Sequence, residues 1–154
     1  MNRILCSTGA VIGRPNGRNI YLLEECVPKL NCDGFEFMMY STWYGKADEV
    51  KKAALRTGAS FPVFHVEKQV GNCISRNGEG DTEKAIELFY INCRIAKELG
   101  SKLLVLHLWS GLDSGNSVDC WGSCTIRAPP AGEVFGLVID SVLLTQIQEF
   151  QLHL

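Results

Sequence analysis

Three polar side chains interrupt apolar segments of this chain and could carry chemistry. Glu36 stands between two phenylalanines, His65 follows a third, and His107 closes a run of leucines and a valine. A buried carboxylate such as Glu36 needs a metal, a basic side chain or a substrate hydroxyl as a partner. An isolated histidine is often a satisfied core residue, but two at successive strand ends favour a functional site. Glu67 and Lys68 fit either the same site or a solvated loop equally well.

These residues need a scaffold, and the sequence predicts alternating strands and helices. Short apolar runs indicate strands at 4–6, 35–40, 61–66 and 102–109. Apolar residues at three- and four-residue spacing predict helices after Asn19, over 46–57 and from an Asp81 cap to Gly100, with Pro28 ending or kinking the first. Such alternation predicts an α/β fold with a parallel sheet, either doubly wound or closed as a (β/α)8 barrel. The nearly apolar second strand is typical of one covered on both faces.

Composition excludes several classes of function. The 154 residues are 46% hydrophobic and 21% charged, which favours one globular domain. With 15 Lys and Arg against 17 Asp and Glu, and no basic run, nucleic-acid binding is not expected. The segment 9–13, which follows the first strand, lacks the third glycine of a dinucleotide fingerprint, and no apolar run could span a membrane. Seven scattered cysteines with no secretory signal indicate reduced thiols in a cytoplasmic protein. Cys120 and Cys124 have a spacing that fits half of a zinc site, but no second ligand pair follows, which favours structural thiols.

Three segments carry a resemblance to a known superfamily. The residues 33–38 (DGFEFM), 64–71 (FHVEKQVG) and 104–111 (LVLHLWSG) resemble the first half of the xylose isomerase-like barrels. That superfamily includes sugar phosphate isomerases and epimerases and the AP endonucleases. The resemblance implies a (β/α)8 barrel of the TIM type with a divalent metal (Mn, Mg, Zn or Co) at the carboxyl ends of its strands. It also implies that Glu36, His65 and His107 are catalytic, with His107 a metal ligand.

The resemblance weakens after residue 112. Residues 1–112 fit the first four βα units, whereas 113–154 form an irregular, divergent segment that a long loop or a reading-frame disturbance would explain. A fifth strand is expected near 135–144, where Asp140 occupies the position of the family's metal-binding glutamate. A barrel of this type takes about 250 residues, so we expect a truncated form that self-associates through its open edges and has impaired or no activity.

The sequence therefore supports one main function and two alternatives. The main expectation is a metal-dependent isomerase or epimerase acting on a small sugar or sugar phosphate, in which a cation stabilises the substrate oxygens while a carboxylate moves a proton. One alternative is an AP endonuclease-like phosphodiesterase, which the charge balance disfavours. The other is a non-catalytic fragment.

Overall fold

The structure, a computed structural model, describes residues 4–76, 78–107 and 136–139. Five strands form one parallel sheet in the order β1-β2-β3-β4-β5, so each strand pairs with the next along the chain. They are β1 (Leu5–Ser7), β2 (Gly34–Met38), β3 (Val63–His65), β4 (Leu103–Leu106) and β5 (Gly136–Ile139). The prediction of an α/β fold with parallel strands is confirmed. A strand also lies within the 135–144 segment and pairs with β4.

Five α-helices lie between the first four strands. They are α1 (Thr8–Ile12), α2 (Leu22–Cys26), α3 (Ala47–Arg56), α4 (Lys68–Arg76) and α5 (Asp81–Glu98), with short 3-10 turns at Arg14–Asn16, Val27–Lys29 and Ser41–Lys46. Regular α-helix ends before Pro28, as the sequence predicted, and α3 and α5 match the predicted spans closely. Among the described residues, no helix has the length and apolar character that crossing a membrane requires.

The helix boundaries follow from local chemistry. In α3 the acidic Asp48 and Glu49 occupy the first turn and Arg56 the last, which complements the helix dipole. Helix α5 is followed by Gly100 at φ 75°, a left-handed conformation that glycine adopts without steric cost. Asp81 is not the cap of α5, contrary to the sequence prediction. It is the first helical residue, and its carboxylate accepts from the Gly78 amide and pairs with Arg76.

The core lies on one face of the sheet. Phe37, Phe64 and Leu104 are at most 2% exposed and pack in a cluster with buried residues of α3 and α5. Burying one such side chain contributes roughly 2 kcal/mol. The residues that alternate with them, such as Glu36 and Met38, are only partly buried. Within the described part of the chain, the expectation that β2 is covered on both faces is therefore wrong, because its second face remains partly open.

Candidate functional site

The sheet joins Glu36 to His65. Glu36 is the central residue of β2, and its neighbours Phe35 and Phe37 turn to the opposite, buried face. His65 is the last residue of β3 and lies opposite Met38 in the parallel register. The Glu36 Oε1 and His65 Nδ1 atoms are 3.0 Å apart, with 27% and 15% of the two side chains exposed. The partner that the sequence required for Glu36 is thus a histidine on the adjacent strand.

His107 completes what we call the histidine cluster, made of Glu36, His65 and His107. It follows β4 directly, and its ring stacks on that of His65 with centroids 4.7 Å apart and planes at 26°. The prediction that the two histidines lie side by side at the carboxyl edge of the sheet is confirmed. Glu36 lies one step inside that edge, because two further strand residues follow it in β2.

The second ring nitrogen of His65 is the unusual atom of the cluster. Nε2 is buried and makes no hydrogen bond within the described residues. In the tautomer whose Nδ1 carries the hydrogen, Nδ1 donates to the Glu36 carboxylate and Nε2 carries a lone pair. A buried polar atom without a partner costs free energy, so its presence in a folded core points to a ligand, an ion or a chemical role.

A divalent metal is the cofactor that the resemblance implies, and the cluster fits part of a metal site. A ligating histidine commonly donates its other ring N–H to a carboxylate, as His65 does to Glu36. Within the described residues, however, no group of three or more His, Cys, Asp or Glu side chains could hold a metal ion. Asp140, the other predicted ligand, lies outside the described residues, as do Cys120 and Cys124. Two imidazoles are therefore the ligands that this part of the chain could offer.

A second polar group, the asparagine network, lies close to β3 and comprises Tyr44, Glu67 and Asn92. Asn92 is fully buried in α5; its Oδ1 accepts from the Glu67 amide at 3.2 Å, and its Nδ2 donates to the Tyr44 hydroxyl at 2.9 Å and to the Leu88 carbonyl at 2.7 Å. Every hydrogen-bonding atom of its side chain is thus paired. The network fixes the segments that follow β2 and β3 against α5.

Glu67 belongs to this network rather than to the open edge of the sheet. Its Oε2 accepts from the Gln69 amide at 2.8 Å, which satisfies an amide in the first turn of α4. Burial is the main cause that raises the pKa of Glu67, and the hydrogen bonds from Gln69 and Tyr44 oppose it. Burial likewise raises the pKa of Tyr44. The sequence left Glu67 open between the site and a solvated loop, and the geometry gives it a structural role that is neither of these.

Sequence reasoning missed several residues that shape the site. The hydroxyl of Thr8, fully buried behind β1, accepts from the Met38 amide at 2.8 Å and so holds the end of β2 beside the cluster. Helix α4 was also missed, although Val70, Cys73 and Ile74 show the three- and four-residue spacing of a buried helical face. No sequence signal marked Asn92, because a polar residue on a helix is ordinarily exposed.

Comparison of the chain with protein-family models, with curated proteins and with solved structures finds no match. The site is therefore interpreted from its own geometry. Its strongest features are a carboxylate that orients an imidazole, an unpaired ring nitrogen on that imidazole, and a second imidazole stacked against it.

Proposed function

We propose that this chain is a metal-dependent isomerase or epimerase acting on a small sugar or sugar phosphate, with the fold of a xylose isomerase-like (β/α)8 barrel. The observation that carries this proposal is the histidine cluster, in which Glu36 leaves the Nε2 atom of His65 with a free lone pair. Groups at the carboxyl ends of parallel strands are where α/β barrels act on their substrates.

The sheet supports the barrel part of the proposal. The strands follow each other in sequential order, and those of the described part bury one face while the other stays partly open. A doubly wound sheet reverses its strand order and covers both faces with helices. A barrel keeps the sequential order and places its helices on the outer face only.

Each residue of the histidine cluster can take a different role in the reaction. His65 Nε2 takes the proton from the substrate carbon beside the carbonyl, and Glu36 stabilises the imidazolium that forms, because its carboxylate is already paired with Nδ1. In an isomerase His65 returns this proton to the adjacent carbon while the hydroxyl proton moves between the two substrate oxygens; an epimerase would need a second proton donor on the opposite face of the substrate. His107 and Asp140 would hold the divalent metal, which when bound stabilises negative charge on the substrate oxygens.

Metal binding is the first test. We expect weak Mn²⁺ or Zn²⁺ binding by calorimetry, lost when His107→Ala and Asp140→Asn are combined. The control is Glu83→Gln, which removes an exposed carboxylate from the first turn of α5. Tight binding that survives the double substitution would show that the metal site lies elsewhere.

Solvent exchange tests the chemistry directly. Proton abstraction needs fewer groups than complete turnover, so we expect the chain with Mn²⁺ in D₂O to incorporate deuterium beside the carbonyl of one member of a panel of aldoses, ketoses and their phosphates, followed by NMR. Exchange should stop with His65→Gln and continue with Glu83→Gln. Exchange that is equally fast without His65 would contradict the proposal.

A further inference from the structure

A basic cleft opens between the segments that follow β1 and β2. Its lining residues are Arg14, Gly17, Arg18, Thr42, Trp43 and Lys46, and it encloses about 530 Å³. That volume falls within the range of small-molecule sites. Because both lining segments leave the carboxyl ends of their strands, the cleft lies at the same edge of the sheet as the histidine cluster.

Three basic side chains line the cleft, and Arg18 lies near enough to Glu67 to lower the pKa of that carboxyl. Within the described residues, no carboxylate lies within salt-bridge distance of Arg14, Arg18 or Lys46. Two arginines outside the cleft, Arg56 and Arg76, are each paired with a carboxylate at 2.8 Å. Basic side chains that form no salt bridge attract an anion, so the cleft is electrostatically suited to bind one.

Arg18 is held in place by its surroundings. Its backbone φ is 55°, a left-handed conformation that costs a non-glycine residue roughly 1–2 kcal/mol. Among the described residues other than glycine, Arg18 alone has a positive φ. Its carbonyl accepts from the Trp43 indole at 3.2 Å, and its guanidinium carbon lies 4.9 Å from the centroid of the Tyr40 ring. Strain that persists because neighbours enforce it is typical of binding sites. The charge of Arg18 is thus oriented before any ligand arrives.

Tyr40 connects the cleft to the histidine cluster. Arg18 covers its ring, and both its hydroxyl and the Met38 side chain approach Gly9, since a Cβ at Gly9 would lie 3.4 Å and 3.0 Å from them. Met38 lies opposite His65 in the sheet register. A ligand with an anionic group in the cleft could therefore extend past Tyr40 towards His65.

We propose that the basic cleft binds the phosphate group of a phosphorylated sugar. Arg14, Arg18 and Lys46 supply charge and N–H donors, and the Thr42 hydroxyl supplies a further donor. The choice of a sugar phosphate over an unphosphorylated sugar rests on the proposed function, whereas phosphate binding by the cleft does not. A phosphate monoester fits better than a nucleic acid, because the chain as a whole carries a formal charge of −2.

Titration calorimetry with inorganic phosphate and with glucose 6-phosphate tests the cleft. We expect both to bind the 154-residue chain without added metal, and the affinity to fall roughly tenfold or more when Arg14→Gln and Lys46→Gln are combined. The control pair is Lys29→Gln with Lys102→Gln, two exposed lysines outside the cleft. Equal affinities for the two double variants, or no binding by the unaltered chain, would overturn the proposal.

A second variant, Arg18→Asn, removes the charge of Arg18 from the cleft without a large loss of stability. Asparagine tolerates a left-handed backbone better than most residues, so thermal unfolding should be preserved while phosphate binding falls at least as far as in the double variant. A duplex DNA oligonucleotide that binds more tightly than glucose 6-phosphate, and is lost in the same variants, would overturn the assignment in favour of a nucleic acid.

The two proposals fail separately. Phosphate binding should survive His65→Ala, which lies outside the cleft. If phosphate binds in the cleft but no sugar exchanges deuterium, the anion site stands and the isomerase proposal fails. If unphosphorylated sugars exchange as fast as their phosphates, the choice of substrate fails.

Discussion

The histidine cluster and the asparagine network are both polar groups in a largely apolar fold, but they differ in how completely they are paired. Every polar atom of the fully buried Asn92 side chain has a partner. His65 has a partner for Nδ1, but its buried Nε2 has none within the described residues. A satisfied network stabilises a unique packing, whereas an unsatisfied atom costs stability and is retained for another reason. We therefore expect the asparagine network to stabilise the fold and the histidine cluster to serve binding or catalysis.

The largest effect is expected from Asn92→Ala. The substitution leaves the Glu67 amide without its acceptor, which costs about 1–3 kcal/mol, and removes the hydrogen bond that the Tyr44 hydroxyl accepts, which contributes about 1 kcal/mol. We therefore expect a loss of about 3 kcal/mol in the free energy of unfolding. Urea denaturation measures it, with Glu83→Ala at an exposed position of the same helix as the control. A loss no larger than that of the control would show that the network is not structural.

A smaller effect on stability is expected from His65→Phe. The new ring keeps the stacking on His107 and removes an unpaired buried nitrogen, while the partly exposed Glu36 can turn to solvent. We expect the free energy of unfolding to change by about 1 kcal/mol or less, with metal-dependent deuterium exchange abolished. Urea denaturation and the exchange assay measure the two quantities. A loss as large as that of Asn92→Ala would remove the contrast and make His65 a structural residue.

The smallest effect concerns pH and Glu67. Burial raises the pKa of this carboxyl above its usual value, so the folded protein holds the proton more tightly than the unfolded chain does. The stability that this more tightly held proton provides is present in full below the pKa of Glu67 in the unfolded chain. It is lost as the pH rises through the pKa of Glu67 in the folded protein. The unaltered protein should therefore lose stability relative to Glu67→Gln as the pH rises above the unfolded pKa of about 4.3. Urea denaturation at each pH measures this difference, and a gain instead would show that the hydrogen bonds from Gln69 and Tyr44 outweigh burial.

Much of the fold could be predicted because its signals are local. Apolar runs identified the strands, and the three- and four-residue spacing identified α3 and α5. Strand boundaries were less accurate. The strand predicted over 102–109 is described as Leu103–Leu106, because pairing with the neighbouring strand decides where a strand ends.

Part of the candidate site was also visible in the sequence. Glu36 and His65 were identified because charged or polar groups in apolar strands need partners. The basic cleft could not be predicted from the sequence, because its basic residues Arg14, Arg18 and Lys46 do not form a run along the chain. They lie together only because two loops meet in the folded protein.

The sequence alone determined the alternation of strands and helices and the placement of Glu36, His65 and His107 in successive units, since both depend on the order of side chains along the chain. Only the tertiary structure decided that Glu36 pairs with Nδ1 of His65, that Asn92 joins two loops to a helix, and that three cations share one cleft. Those contacts join residues that are 25 to 48 positions apart or converge from separate loops. Their geometry depends on the register and packing of the sheet, which no local pattern specifies.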